Sequence, residues 1–169
     1  MDQTASNIID QQTALANFDH ARDDFETAFQ AVPDDALAYK PEGDDYTLAD
    51  LLPHITGSIS GYSHLIDKIK EAHFGEVRVD LPPRQATLTG RSIDRQNVLL
   101  EMEAAHNTLA SKLRGMLGDD FTRQALVYFP GSTEPYPTAA ADITGWLTDH
   151  YNEHTLQVAQ MLEQRNSPS

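Results

Sequence analysis

Apolar side chains recur along four stretches of the chain at the spacing of one helix face. In residues 5–32 they stand mostly three, four or seven positions apart. A second stretch opens at Thr47, where Thr47 and Asp50 have the spacing of a capping box. Similar patterns cover residues 92–117 and 138–164. The pattern therefore predicts four amphipathic helices.

Two of the connections between these helices are long and irregular. Residues 73–90 are too broken for a helix, and roughly 18 residues is long for a link between antiparallel neighbours. Such a link can span the bundle, so that the second and third helices run parallel. Residues 119–137 are expected to contain a short hairpin or a lid, although no stretch has a convincing sheet pattern. We predict an all-α fold, a four-helix bundle with long crossover connections, as a single domain over residues 1–169 with a frayed tail at 165–169.

The composition is strongly acidic and lacks cysteine. With 26 acidic and 12 basic residues the formal charge is −14, and since binding to phosphate depends mainly on Lys and Arg, nucleic acid and anionic membranes are unsuitable partners. The absence of cysteine excludes a disulfide framework, a cysteine nucleophile and a cysteine-based zinc site. We see no signal-peptide pattern and no apolar run near the roughly 20 residues of a membrane span. We expect a soluble cytoplasmic protein that acts on a small-molecule substrate.

Two histidines interrupt the apolar stripe of the fourth helix. His150 and His154 fall in line with Ile143, Leu147 and Val158. Their spacing puts both rings on one helix face, with about 6 Å between the Cβ atoms. This arrangement suits two ligands of one cation, and neutral imidazole suits Zn, Ni, Cu or Fe. A pair of histidines at the edge of the core, satisfied by hydrogen bonds, is the alternative.

A third ligand has to come from another helix, and His54 is the best candidate. It lies beside the apolar stripe of the second helix, where Gly57, Ser58 and Gly61 would leave a hollow next to its ring. A glycine inside a helix costs roughly 1 kcal/mol relative to Ala, so two of them indicate that space is needed. Close helix packing through these glycines is the alternative. Pro53 is a further departure from helix rules unless it lies in the first turn.

The other histidines are weaker candidates for ligands. His106 lies on the flank of the third stripe and is a reserve ligand, although a core or boundary position is the favoured interpretation. The remaining three fall off the stripes or at a helix end, and we predict that water solvates them. They are His20, His64 and His73.

Several nearby residues are candidates for supporting roles. A ligating imidazole is usually oriented by a hydrogen bond from its other nitrogen, and the local candidates are Asp149, Glu153 and Gln157. Gln157 is best placed, one turn after His154, and Glu153 is expected to be exposed. The expected pocket lies between the second and fourth helices and is roofed by residues 119–137. Its candidate lining residues, each of which also fits the core, are Tyr62, Tyr128, Phe129 and Trp146.

A histidine on the second helix of a bundle, followed by H-x-x-x-H on the fourth, resembles the DinB/YfiT-like superfamily. The matching segments are YTLADLLPHITGS and DITGWLTDHYNEHTLQVAQML, and the helix layout is similar over nearly the whole chain. The resemblance implies a four-helix bundle in an up-down-down-up arrangement. It also implies a divalent metal held by three histidines, which match His54, His150 and His154, usually within a homodimer. Members with known activity include thiol-dependent transferases and isomerases that use mycothiol, bacillithiol or glutathione.

Three protein ligands would leave one coordination position open for water or substrate, as in catalytic metal sites. The cation, expected to be Zn or Ni, would lower the pKa of a thiol or a water. A thiol has to be a low-molecular-weight cofactor, because the chain has no cysteine. A metal-dependent transferase acting with such a thiol is the first functional hypothesis, and a hydrolase is a variant of it. A non-catalytic dimeric bundle that binds a metal or a small molecule is the alternative, since both need the same ligands.

Overall fold

The computed structural model describes residues 3–80 and 94–167 of the 169-residue chain. Most of this part is helical. A short 3-10 helix, Asp34–Ala36, follows the first long helix. The four long helices are α1 (Gln3–Gln30), α2 (Leu51–Glu71), α3 (Arg95–Arg114) and α4 (Ala140–Asn166). The four-helix bundle predicted from the apolar pattern is confirmed.

The first and last helices of the chain run parallel. Phe18 packs beside Tyr151 in the middle of both helices, with ring centroids 5.8 Å apart. Beyond the end of α1, Asp35 forms an ion pair with Arg165 at the end of α4, at 2.9 Å. Because the middles meet and the C-terminal ends meet, α1 and α4 point in the same direction.

The two inner helices also run parallel to each other and opposite to α1. Gln11 near the start of α1 donates to the carbonyl of Leu113 at the end of α3, so these two helices are antiparallel. Lys112 at the end of α3 forms an ion pair with Asp67 near the end of α2, at 2.7 Å. The order is therefore up-down-down-up, as expected, although residues 81–93 of the long crossover lie outside the described part.

A small three-stranded sheet joins the two irregular connections. β1 (Glu76–Arg78) pairs in parallel with β2 (Ala125–Tyr128), and β2 pairs antiparallel with β3 (Tyr136–Thr138). The hairpin expected within residues 119–137 is present as β2 and β3. The sequence has no convincing sheet pattern because strands of three or four residues are too short to show a clear alternation.

The start of α2 explains the proline that precedes His54. The backbone N–H of Thr47 donates to the Asp50 carboxylate at 2.8 Å, and that of Asp50 donates to the Thr47 hydroxyl at 3.2 Å. These reciprocal bonds are a capping box, and the helix itself begins one turn later, at Leu51. Pro53 therefore lies in the first turn, where a missing N–H is tolerated.

The core is built from the apolar stripes of all four helices. A fully buried side chain of Val, Leu, Ile, Phe or Met contributes about 1.5–3 kcal/mol, so these stripes supply most of the stabilisation. Side chains at 0–2% exposure include Phe18, Phe25, Phe29, Leu52, Ile55, Ile59, Met102, Leu109, Ile143, Leu147 and Val158.

The helix ends differ from the sequence prediction by a few residues. α3 begins at Arg95, and the first two residues of its predicted range 92–117 lie outside the described part. α4 continues to Asn166, so the tail expected at 165–169 begins helical, and residues 168 and 169 are again outside the described part. No helix found in residues 3–80 and 94–167 combines the length and apolar character needed to cross a membrane.

Candidate metal centre

Three histidine side chains from α2 and α4 lie together at one level of the bundle. The ring centroid of His54 is 5.0 Å from that of His150 and 5.0 Å from that of His154. The centroids of His150 and His154 are 4.4 Å apart. One ring nitrogen from each histidine lies within 4.8 Å of the other two. This juxtaposition allows all three to coordinate one ion, and no other such group occurs among the described residues.

Helix geometry and helix direction bring these rings together. His150 and His154 are four residues apart and project from the same face of α4. His54 projects from the first turn of α2. Tyr62, two turns later on α2, contacts Trp146, which lies one turn before His150, with ring centroids 6.1 Å apart. The two helices are therefore antiparallel here, and their histidine-bearing faces meet.

Burial keeps two of these imidazoles neutral at neutral pH. The pKa of His150 is lowered from its ordinary value of 6.5 to about 4, first by burial and then by the nearby His154 and His54. The pKa of His54 is also lowered, by burial and then by His154. A neutral ring keeps a lone pair on one nitrogen, which is the form that binds a metal.

The Nε2 atom of His150 is buried without a hydrogen-bond partner. Among the residues described it is the single buried side-chain nitrogen or oxygen in this condition. An unsatisfied buried polar group costs about 1–3 kcal/mol, so its position beside two more imidazoles requires an explanation. A divalent cation fits the site, because three neutral imidazole nitrogens suit Zn, Ni, Cu or Fe.

Gln157 holds the ring of His154. Its Oε1 atom lies 2.7 Å from Nδ1 of His154. Because a carbonyl oxygen only accepts, Nδ1 carries the ring proton and Nε2 keeps the lone pair. This is the orienting contact that the sequence predicted for Gln157. Asp149 and Glu153 are exposed, and no hydrogen bond of the described residues joins either to a histidine ring, so the orienting role predicted for Asp149 is not seen.

The link between α1 and α2 adds two residues that the sequence prediction missed. The ring of Tyr46 lies 4.9 Å from that of His54, centroid to centroid. Nε2 of Gln157 donates to Oδ2 of Asp44 at 3.5 Å, and Oδ1 of Asp44 accepts from the Tyr46 backbone N–H at 3.2 Å. The available signal was a turn pattern with Gly43 before Asp44, and Gly43 does adopt a φ of 81°. Such a pattern predicts a turn and does not show which helix the turn contacts.

Aromatic side chains border the centre at the start of α4. Trp146 contacts Tyr62, Phe129 and Tyr136, with ring centroids 6.1 to 6.3 Å apart. Phe129 and Tyr136 belong to the hairpin connection, so the segment predicted as a roof does reach the α2–α4 seam, one turn from the first histidine of α4. Tyr128, the other predicted lining residue, lies instead beneath the guanidinium group of Arg78 in β1. The guanidinium carbon is 4.2 Å from the centroid of the Tyr128 ring.

Gly61 leaves open space on the face of α2 that carries His54. Seven residues make close to two helical turns, so position 61 lies almost in line with His54. A Cβ atom added to Gly61 would meet nothing within 4 Å. Close helix packing is therefore the wrong explanation for this glycine. Because Gly61 is exposed, the space beside it is open solvent and not the hollow expected next to the ring of His54.

His106 lies away from the centre, in the core. It is completely buried and stacks on Phe18 with centroids 4.1 Å apart. Its ring nitrogens lie 3.0 Å from the Tyr151 hydroxyl and 2.8 Å from the Asp19 carboxylate. Burial lowers its pKa, so the ring is neutral. The interpretation as a core histidine is confirmed, and the three histidines predicted to be exposed are so: His20, His64 and His73.

Comparison with known proteins identifies the family. The profile of the DinB superfamily matches residues 17–158, which include His54, His150 and His154. Among solved structures, YfiT from Bacillus subtilis matches with a TM-score of 0.75 at 13% sequence identity, over 94% of this chain and 89% of that chain. YfiT is described as a probable metal-dependent hydrolase with an unusual four-helix bundle topology. No curated protein matches the chain. The chain belongs to the DinB superfamily and shares the four-helix bundle fold of YfiT.

Proposed function

We propose that this protein binds one divalent metal ion through His54, His150 and His154 and uses it in catalysis. The observation that supports this most directly is the buried Nε2 of His150, which has no partner among the described residues and belongs to a cluster of three imidazoles. The contact of Gln157 with Nδ1 of His154 leaves that ring with a free Nε2 as well. Zn or Ni is the expected ion, given nitrogen ligands alone.

The charge of the ligand set favours activation of a nucleophile. Three protein ligands leave a further position for an incoming group. An ion held by these three histidines would lower the pKa of a thiol or a water and so would provide a nucleophile near neutral pH. Because His54 and His150 are neutral, and carboxylate or thiolate ligands are absent from the cluster, the protein does not offset the positive charge that produces this effect.

A low-molecular-weight thiol is the nucleophile that we propose first. The chain contains no cysteine, so sulfur that attacks an electrophilic substrate has to be brought in by a cofactor. The protein would then be a metal-dependent transferase. Water at the same position would make it a hydrolase, and the description of YfiT as a probable metal-dependent hydrolase favours this as the second candidate.

We propose that the substrate binds along the seam between α2 and α4. Gly61, on the face of α2 that carries His54, is exposed and leaves this face open to solvent. The rings of Tyr62 and Trp146 border the same seam. We therefore place the nonpolar part of the substrate between the histidines and these rings. The active form is proposed to be a homodimer, as the family resemblance implies.

Assays at defined metal content test this function. Protein purified without a nickel column is stripped with a chelator, reloaded with Zn or Ni, and assayed with mycothiol, bacillithiol and glutathione against a chromogenic electrophile. Ester hydrolysis is followed in parallel without thiol. We expect thiol-dependent turnover by the loaded protein and none by His150→Ala.

The other outcomes separate the alternatives. Turnover without thiol would replace the transferase by the hydrolase. A full complement of metal with no turnover in either assay would favour a protein that binds a metal or a small molecule without catalysis. A wild-type protein that takes up no metal would refute the proposal as a whole.

A further inference from the structure

We infer that Asp44 is a positioning residue of this centre: through the side-chain amide of Gln157, it holds His154 in the tautomer whose Nε2 lone pair is free for a metal. The inference rests on the proposed metal site and assigns a role to a residue outside its three ligands. It depends on a chain of polar contacts that joins the α1–α2 link to α4.

The amide of Gln157 determines which nitrogen of His154 is free. A neutral imidazole carries one proton, on either Nδ1 or Nε2. With Oε1 of Gln157 at 2.7 Å, Nδ1 has to be the donor, and Nε2 keeps its lone pair. If the amide were rotated by half a turn, its NH₂ group would face Nδ1. The ring proton would then lie on Nε2, and His154 would offer no lone pair to a metal at that atom.

Asp44 selects the first of these two amide orientations. Its carboxylate oxygens only accept hydrogen bonds, and Oδ2 lies 3.5 Å from Nε2 of Gln157. In the observed orientation Gln157 donates to Asp44 and accepts from His154. The rotated amide would bring its oxygen against the carboxylate, so that two acceptors would face each other. At 3.5 Å the contact is long for a charge-assisted hydrogen bond, so the selection rests mainly on avoiding two acceptors that face each other.

The α1–α2 link holds Asp44 in place for this role. Oδ1 of Asp44 accepts from the backbone N–H of Tyr46 at 3.2 Å, which leaves Oδ2 to face Gln157. The ring of Tyr46 lies against His54, at 4.9 Å between centroids. One short segment therefore contacts a ligand of α2 and supports a ligand of α4.

The test exchanges the donor and acceptor roles of the pair. Asp44→Asn removes the acceptor-only group, and Gln157→Glu supplies an acceptor to His154 in either orientation. The double variant keeps the wild-type charge and lets the amide introduced at position 44 donate to the carboxylate introduced at position 157. Asp45→Asn is the matched control, because Asp45 is the next residue, is exposed and undergoes the same change of charge. The two measurements are the His154 tautomer in the metal-free protein, by two-bond 1H–15N NMR, and the Zn affinity, by competition with a chromogenic chelator.

We expect Asp44→Asn to shift His154 toward the Nε2–H tautomer and to weaken Zn binding by about tenfold, the lower end of the range for residues that orient metal ligands. The double variant should restore both, and Asp45→Asn should change neither. An Asp44→Asn protein with the same His154 tautomer as the Asp45→Asn control would overturn the inference, as would a double variant no better than Asp44→Asn. If the wild-type protein binds no Zn, the proposed function fails, while the tautomer comparison still decides the role of Asp44.

Discussion

The Nδ1 atom of His106 lies 3.0 Å from the hydroxyl oxygen of Tyr151, the residue that follows His150 on α4. The other ring nitrogen of His106 lies 2.8 Å from Asp19, which also pairs with Arg114. Because a carboxylate only accepts, Nε2 of His106 carries the proton and Nδ1 accepts from Tyr151. Consecutive residues of α4 thus have opposite surroundings: Tyr151 joins a closed polar network, whereas Nε2 of His150 has no partner in the described part of the chain.

Replacing Tyr151 by Phe should destabilise the fold and leave the metal centre intact. Burial raises the pKa of Tyr151, so its hydroxyl stays protonated and donates. Its removal leaves a buried acceptor on His106 unsatisfied, which costs about 1–3 kcal/mol of unfolding free energy. The remaining ring still packs on Phe18 and Phe25. Urea unfolding and Zn competition measure the two effects, with the exposed Tyr136→Phe as control. Equal stability of the two variants would contradict the prediction.

Each of the three histidines should be needed for metal uptake. His54→Ala, His150→Ala and His154→Ala should each weaken binding by more than about 100-fold, because loss of a residue that merely orients a ligand already costs 10–100-fold. His20→Ala, at an exposed position of α1, should bind like the wild type. Elemental analysis of protein purified without a nickel column measures the occupancy. Retention of full occupancy by any of the three variants would remove that histidine from the ligand set.

The helices and the face carrying the histidines could be predicted from the sequence because both follow from local periodicity. A helical repeat that continues through the 21 residues of α2 or the 27 of α4 leaves little ambiguity. The four-residue spacing of His150 and His154 fixes their rings on one face once a helix is given. His54 could be predicted as the third ligand because it lies next to the buried stripe of α2. The antiparallel order of α2 and α4 brings its ring to those of His150 and His154.

The sheet and the support from Asp44 could not be predicted because both depend on contacts between distant parts of the chain. β1 has only three residues. Its central residue, Val77, pairs with Val127 of β2, which lies in the connection between α3 and α4. Asp44 and Gln157 are 113 positions apart. A local pattern specifies a turn around Asp44, but the bundle order decides which helix that turn meets.

Gly61→Ala should stabilise the protein. A Cβ at this position would meet nothing within 4 Å, so the change removes the entropic cost of glycine in a helix, about 0.5–1 kcal/mol, without a clash. Gly118→Ala is the matched contrast, because Gly118 has a φ of 61°. A side chain is strained there, and we expect a loss of about 1 kcal/mol or more. Thermal or urea unfolding measures both. A destabilised Gly61→Ala protein would show that the space beside α2 is not open.

The metal-free protein should lose stability as the pH falls from about 6.5 to about 4. The folded-state pKa of His150 is lowered to about 4 from an ordinary value of 6.5. Between these two pKa values His150 is protonated in the unfolded chain but not in the folded protein. Because the unfolded state binds the additional proton, acid favours unfolding. His54 and His106 act in the same direction, because their pKa values are also lowered. Urea unfolding across this window measures the slope. It should be smaller in His150→Leu, and an unchanged slope would contradict the assignment.

Trp146, the single tryptophan of the chain, should report metal binding by its fluorescence. It lies one turn before His150 on α4, about 6 Å away between Cβ atoms. Paramagnetic Ni²⁺ at the centre should quench its emission and saturate at one equivalent, whereas closed-shell Zn²⁺ should not quench. Zn²⁺ added first should therefore protect the emission from Ni²⁺ if both occupy the same site. Quenching that persists in His150→Ala, or that Zn²⁺ does not prevent, would place the ion elsewhere, because an ion on the three histidines depends on that ring and admits one metal at a time.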